Sequence, residues 1–242
     1  MITGKICVII SIRLNMKKLF ILFICIIYAI VFVYGLNGAN KFSKAVGLNN
    51  ALEPYTVIID PGHGGKDCGT VGVDGSLEKD VNLSIALILK DYLCICGFNT
   101  KMTREGDYEL YPEGSNKNRS DLYNRVDFAN SFKNATLISI HQNHFSDESQ
   151  HGAQVWYSAN TEKSKAIADS ILNRIKKNLQ PDNKRNNKKS DDSYYILYKA
   201  ENPSVMVECG FMSNNNECKN LNEYHYQKKI AYSILTGIYG EQ

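Results

Sequence analysis

Two periods of apolar residues run along this chain. Short unbroken apolar runs occur in TVII (56–59), ATLISI (135–140) and the VMV of PSVMVECG (203–210). Each ends directly at an acid or an imidazole, as strands buried on both faces do where they leave a core. FNTKMTR (98–104) and GAQVWYS (152–158) read as two further strands. The other period is helical. In 76–97, Val81, Ile85, Ile88, Leu89 and Tyr92 share one face, Ser76 is placed to cap, Glu78 sits in the first turn and Gly97 suits the stop. Residues 120–131 form a short helix by the same reading. The stretch 161–179 is amphipathic through Ile167, Ile171, Leu172, Ile175 and Leu179, and 224–240 supplies a closing helix. Between them lie a Gly-rich loop (64–75), a polar loop (105–118) and PDNKRNNKKSDDS (181–193), thirteen residues with no apolar side chain, expected as an exposed loop. Alternating strands and helices predict an α/β fold: a single domain, its mostly parallel twisted sheet flanked by helices on both faces.

Charge changes the picture at one end only. The first thirty-five residues hold Lys5, Arg13, Lys17 and Lys18 and no acid. Met16-Lys17-Lys18 leads directly into LFILFICIIYAIVFVYG (19–35), the basic and apolar regions of an export signal. The domain plan is then a signal peptide or membrane anchor at 1–35, a polar linker at 36–54 and a catalytic domain at 55–242. The expected location is outside the cytoplasmic membrane, with the leader either cleaved or kept as an anchor. With those four basic residues set aside, 24 basic face 25 acidic ones, so nothing calls for a nucleic-acid partner, and membrane contact is confined to the N-terminal segment. Of seven cysteines, Cys7 and Cys25 lie in the leader; the remaining five are irregularly spaced and form neither a disulfide framework nor a zinc knuckle.

The chemistry sits at strand ends. His63 follows the first buried strand, His141 ends a second and Glu208 ends a third. In open α/β sheets those carboxyl ends face the ligand crevice. Glu78 opens the helix after the first strand, so its first turn returns to the same rim. Taken singly, His63 is a turn residue and Glu78 a charge complementing a helix dipole. Together, two imidazoles and a carboxylate match the His₂Glu type of catalytic zinc site, and a second carboxylate beside its open position suits a general base. Cys209 is sent to the opposite face by strand alternation and reads as a small buried hydrophobe.

DPGHGG (60–65), EKDVNLSIA (78–86), SIHQN (139–143) and VECGFMSN (207–214) occur in this order. They resemble the four blocks of the zinc-dependent N-acetylmuramoyl-L-alanine amidases, the amidase-3 family, over roughly residues 55–240. The resemblance implies a zinc-amidase/carboxypeptidase-like fold and one Zn²⁺ held by His63, Glu78 and His141. It further implies Glu208 as catalytic acid/base, and hydrolysis of the amide joining the lactyl group of N-acetylmuramic acid to L-alanine in peptidoglycan. Arg104 and Arg125 fall at the family's TR and R-x-x-x-A-N positions, open between binding substrate carboxylates and pinning loops. Asn143 is open between orienting water or substrate and serving as a turn amide. Asp60 is open between orienting the His63 imidazole and turning the chain together with Pro61. His144 and His151 read as bystanders. Within the family the compact layout is most similar to the germination-specific amidases of spore formers. That likeness implies a role in cortex maturation, the formation of muramic-δ-lactam, a location in the cell wall or the forespore intermembrane space, and an accessory spore lipoprotein as partner. The competing readings are a general autolysin of the same chemistry, a catalytically inactive peptidoglycan-binding regulator, and a zinc carboxypeptidase or sugar deacetylase.

Overall fold

The computed structural model describes residues 55–111 and 121–240. The expected export segment and linker lie outside the described residues. Strands β1 (Thr56–Pro61), β2 (Asn99–Met102), β3 (Ala135–Asn143), β4 (Gln154–Tyr157), β5 (Lys188–Lys189) and β6 (Ser204–Phe211) form one sheet in the order β2-β1-β3-β6-β4-β5. The four strands β2, β1, β3 and β6 run parallel. β4 joins antiparallel to β6, placing Gln154 opposite Glu208. β3 and β6 are neighbours in register, with His141 opposite Glu208. That single pairing brings two of the expected site residues together at the carboxyl end of the sheet.

Alternation along the central strands divides the core. Val57, Ile59, Ile138, Ile140, Val205 and Val207 face the larger cluster. There they meet α1 (Glu78–Ile95), α3 (Glu162–Asn178) and α6 (Tyr224–Tyr239). Ile58, Leu137 and Met206 face the other side, against α2 (Asp121–Asn130) and α4 (Tyr195–Lys199). Each fully buried Ile, Leu or Val contributes about 1.5–3 kcal/mol, so the long apolar faces of α1, α3 and α6 fix the packing of that layer. Local signals agree with it for α3. The Thr161 hydroxyl accepts from Ser164 N at 3.2 Å, and Lys176 and Lys177 occupy the last turn. Helices on both faces of a mostly parallel sheet are the architecture expected.

Several local expectations are corrected. Leu77, not Ser76, is the cap residue of α1, and it makes no side-chain cap bond. Ser76 is drawn away: its amide donates to Asp74 Oδ1 and its hydroxyl accepts from Asn222. β1 continues through Asp60 and Pro61, so the chain turns at Gly62 rather than earlier. β2 stops at Met102, because Thr103 and Arg104 turn their side chains into buried hydrogen bonds. The polar stretch 181–193 is not simply an exposed loop. Within it β5 pairs with β4 as an edge strand, and Asn183 and Ser190 are buried. Asn183 donates to the Ala153 carbonyl at 2.9 Å, which gives a polar side chain an inside position without apolar character. A short helix, α5 (Asn215–Asn222), follows β6, capped by the Asn214 side chain.

Candidate metal centre

At the rim where β1, β3 and α1 converge, His63, Glu78 and His141 each offer a ligand atom, all within 4.8 Å of one another. Glu78 is the hub. Its Oε1 lies 3.0 Å from His141 Nδ1 and its Oε2 lies 3.3 Å from His63 Nε2. The two imidazole rings meet edge to face with centroids 4.9 Å apart. Backbone amides fix the carboxylate, since Gln142 N donates to Oε1 at 3.0 Å and Thr70 N to Oε2 at 2.9 Å. The buried Asn82, one helical turn along α1, donates to Oε1 at 3.2 Å and to the Gly62 carbonyl at 3.1 Å. Burial opposes ionisation of Glu78, but the hydrogen bonds and positive ends of His141 and His63 hold its carboxyl far below the usual range. Burial likewise lowers His63, yet Glu78 and Asp67 raise its imidazole to about 9.

The backbone carrying His63 is unusual. Its φ is +62°, a left-handed conformation that costs a non-glycine residue about 1–3 kcal/mol. Three anchors hold it. Arg125 Nη2 donates to the His63 carbonyl at 2.6 Å, and Gly64 and Asp67 exchange backbone hydrogen bonds of 2.9 and 3.1 Å. His63 Nδ1 donates to Asp67 Oδ2 at 2.7 Å, which turns Nε2 toward Glu78. Close backbone approach completes the cradle: a Cβ on Gly62 would stand 2.1–2.2 Å from the His141 ring, and one on Gly69 would stand 2.6 Å from Glu78 Oε2. Two imidazole nitrogens and a carboxylate are the donor set of a catalytic zinc site, so these residues suit a metal ion of that kind.

Glu208 stands beside this group on β6. Its Oε2 is shut from solvent with no hydrogen-bond partner. Burial, with the charge of Glu78 adding to it, pushes its carboxyl up to about 7 despite the opposing pull of His141 and His63. A buried carboxylate oxygen without a partner is costly unless something enters to meet it. Cys209 does face the opposite side, in the main core, where burial drives its thiol well above the usual range.

The four outer candidates behave differently. Asp60 does not touch His63. It accepts from Thr103 Oγ1, Ser139 Oγ and Arg125 Nη1, each at 2.7 Å. Arg104, about 1% exposed, spends its fork on the carbonyls of Pro61, Gly62, Lys79 and Gly106. Arg125 binds Asp60, Asp121 and the carbonyls of Pro61 and His63. Both arginines therefore pin the strand end and the loop that carry the histidine. Asn143 sits where the β3–β6 register shifts, its Oδ1 accepting from His144 N at 2.8 Å. Sequence reasoning missed Asp67 and Asn82. Each lies four residues from a ligand, His63 and Glu78 respectively; a same-face search along α1 reaches Asn82, whereas Asp67 lies in a loop without a regular period.

The family model described as N-acetylmuramoyl-L-alanine amidase, amidase-3, matches residues 57–239. The chain belongs to this family. Its activity is that of the family, a peptidoglycan amide hydrolase, which sets aside the carboxypeptidase and deacetylase readings. The germination-specific N-acetylmuramoyl-L-alanine amidase of Bacillus subtilis is 35% identical over 201 residues, covering 78% of this chain and 84% of that protein. The LytC amidase of the same organism is 31% identical over 192 residues, covering 78% of this chain but 36% of its own length. Among solved structures, the CwlD amidase of Clostridioides difficile in complex with the GerS lipoprotein superposes with a TM-score of 0.72 at 36% identity, covering 77% of this chain and 98% of that one. The amidase AmiC2 of Nostoc punctiforme gives a TM-score of 0.66 at 32% identity, covering 76% and 95%.

Proposed function

We propose that His63, Glu78 and His141 hold one Zn²⁺ and that Glu208 is the acid/base of the amide hydrolysis. The observation carrying this is the juxtaposition of three convergent ligand atoms with the unpartnered carboxylate oxygen of Glu208 on the adjoining strand. When bound, zinc supplies Lewis acidity that makes hydroxide available near neutral pH. Glu208 accepts the proton of the attacking water and returns it to the departing alanine nitrogen, a task suited to a carboxyl that titrates at about 7. Glu78, fixed by two backbone amides and Asn82, stays ionised and holds both imidazoles in place. Asp67 keeps the His63 Nδ1 proton occupied so that Nε2 faces the metal.

Biologically, the reading favoured is stem-peptide removal during spore-cortex maturation, outside the cytoplasmic membrane, after export directed by residues 1–35. The likeness to the B. subtilis germination-specific enzyme supports it, and the solved complex of the CwlD amidase with a lipoprotein supports an accessory lipoprotein as partner. Two experiments test the proposal. Glu208→Gln should lower release of L-alanine-terminated stem peptides from purified peptidoglycan by ~10²–10⁴-fold, the usual scale of a general acid/base, while wall binding persists. Undiminished release by that variant refutes the role. Loss of muramic-δ-lactam from cortex on gene deletion supports the sporulation role, and an unchanged cortex points to the general autolysin.

A further inference from the structure

The loop before β4 and the segment after α3 border an open cleft of about 740 Å³ lined by Ser149, Gln150, His151, Asp182, Lys184 and Arg185. It adjoins the catalytic rim through Gln154, which stands opposite Glu208 across the β4–β6 pair. Arg185 is the half-buried member of its charged lining. Its guanidinium lies 4.4 Å from the centroid of the Phe211 ring, at the end of β6. Nε donates to the His151 carbonyl at 2.8 Å, Nη2 to Gln150 Oε1 at 2.8 Å, and Nη1 reaches Gln154 Oε1 at 3.4 Å. All three acceptors are neutral, and among the described residues no carboxylate forms an ion pair with it. A guanidinium has five N–H donors, so the fork retains capacity. Arg104 and Arg125, by contrast, spend theirs on buried carbonyls and carboxylates.

The walls around Arg185 are built to stay in place. Glu217 of α5 accepts from Gly152 N at 2.9 Å and Phe211 N at 2.8 Å, fixing the loop and the ring on either side of the guanidinium. Asn183 donates to the Ala153 carbonyl, and Gln180 accepts from Ala153 N at 2.7 Å. The exposed Lys184 adds positive charge, and the exposed Asp182 is the acid of the lining. The Glu217 carboxyl feels the Arg185 charge without forming an ion pair with it, so a planar donor fork stacked on an aromatic ring keeps N–H groups free, an arrangement that recognises carboxylates bidentately.

We propose that Arg185 binds a carboxylate of the stem peptide, downstream of the amide that is cut. The distance agrees. Paired strands place the Gln154 and Glu208 backbones ~5 Å apart, and the guanidinium lies one side chain further on. A span of that order is within the reach of a few extended peptide residues at ~3.3 Å each. This rests on the reading of Glu208 as the residue beside the scissile amide. It adds a specificity for charge that the metal centre alone does not provide.

The test uses the zinc-loaded full chain and two muropeptides that differ only in whether the stem-peptide side carboxylate is free or carboxamidated. The wild type should cleave the free-carboxylate substrate with a kcat/KM ~10–100-fold higher, the difference lying in KM, as loss of a charge-assisted hydrogen bond predicts. Arg185→Gln should bring that ratio toward 1, and Arg185→Lys should restore part of it. Equal cleavage of both substrates by the wild type overturns the proposal whether or not any variant folds. So does an Arg185→Gln enzyme slowed equally on both, which would make Arg185 a loop anchor. A wild type that cleaves neither removes the reading of the site, and the subsite with it.

Discussion

The Asp60–Arg125 pair offers a quantitative test of how the His63 loop is held. The two side chains meet at 2.7 Å with exposures of 2% and 4%, and Thr103 and Ser139 complete the coordination of the carboxylate. Asp60→Ala leaves a buried guanidinium with only Asp121, itself 23% exposed, as counter-ion. Breaking a buried pair from one side costs about 3–5 kcal/mol. For a domain of this size that corresponds to a fall in Tm of ~6–20 °C. Asp60→Leu combined with Arg125→Met removes both charges, so the double variant should lose ~1–3 kcal/mol less than the sum of the single changes. Urea unfolding followed by circular dichroism, with m unchanged, measures the cycle. The pH dependence has a definite sign. Burial opposes the Asp60 charge, but Arg125 and the two hydroxyls outweigh it and hold its carboxyl below the ordinary value. Its contribution is therefore complete above the unfolded pKa of ~3.9 and is lost as pH falls through the lower folded value. The gap between wild type and Asp60→Ala should narrow below about pH 4. Additive single changes, or a gap unaltered by acid, refute the reasoning.

Two further outcomes concern the ligands. Asp67→Ala removes the acceptor that orients His63; zinc affinity, measured by competition with a chromophoric chelator, should fall ~10–100-fold. Unaltered affinity shows that the loop backbone alone sets the ring. Gly62→Ala places a methyl 2.1–2.2 Å from the His141 ring, so the purified protein should lose zinc stoichiometrically at a stability cost of about 1–3 kcal/mol; full occupancy by mass spectrometry contradicts that.

What was legible in the sequence follows from length and period. β1, β3 and β6 are apolar runs that only a doubly covered sheet accommodates, and α1, α3 and α6 repeat their apolar face over four or more turns. Hence the order of the long elements, and the placement of His141 and Glu208 at strand ends, could be read directly. The five residues of α4 and the eight of α5 are too short for a period to emerge. β5 carries two lysines and joins the sheet through backbone pairing and the Lys188–Trp156 contact, which composition does not reveal. Orientation was equally hidden: nothing in QVWY distinguishes an antiparallel neighbour of β6 from a parallel one. Residues that act through other residues were the hardest to place. Asp60 looked closest to His63 along the chain, yet strand alternation aims it at Arg125, and the loop's return supplies Asp67 instead.

The left-handed His63 bears on the order of events in assembly. Its conformation is enforced by Arg125, which enters from a helix sixty-two positions along the chain, and by Arg104 on the strap after β2. His141 joins only when β3 has docked against β1. The ligands are thus gathered by the core and not by the ion. Along the chain Glu78 lies 15 positions from His63 and His141 a further 63 from Glu78. Such an arrangement predicts folding before metal loading, so the zinc-free chain should keep its secondary structure by circular dichroism, and its loss on chelation refutes that order.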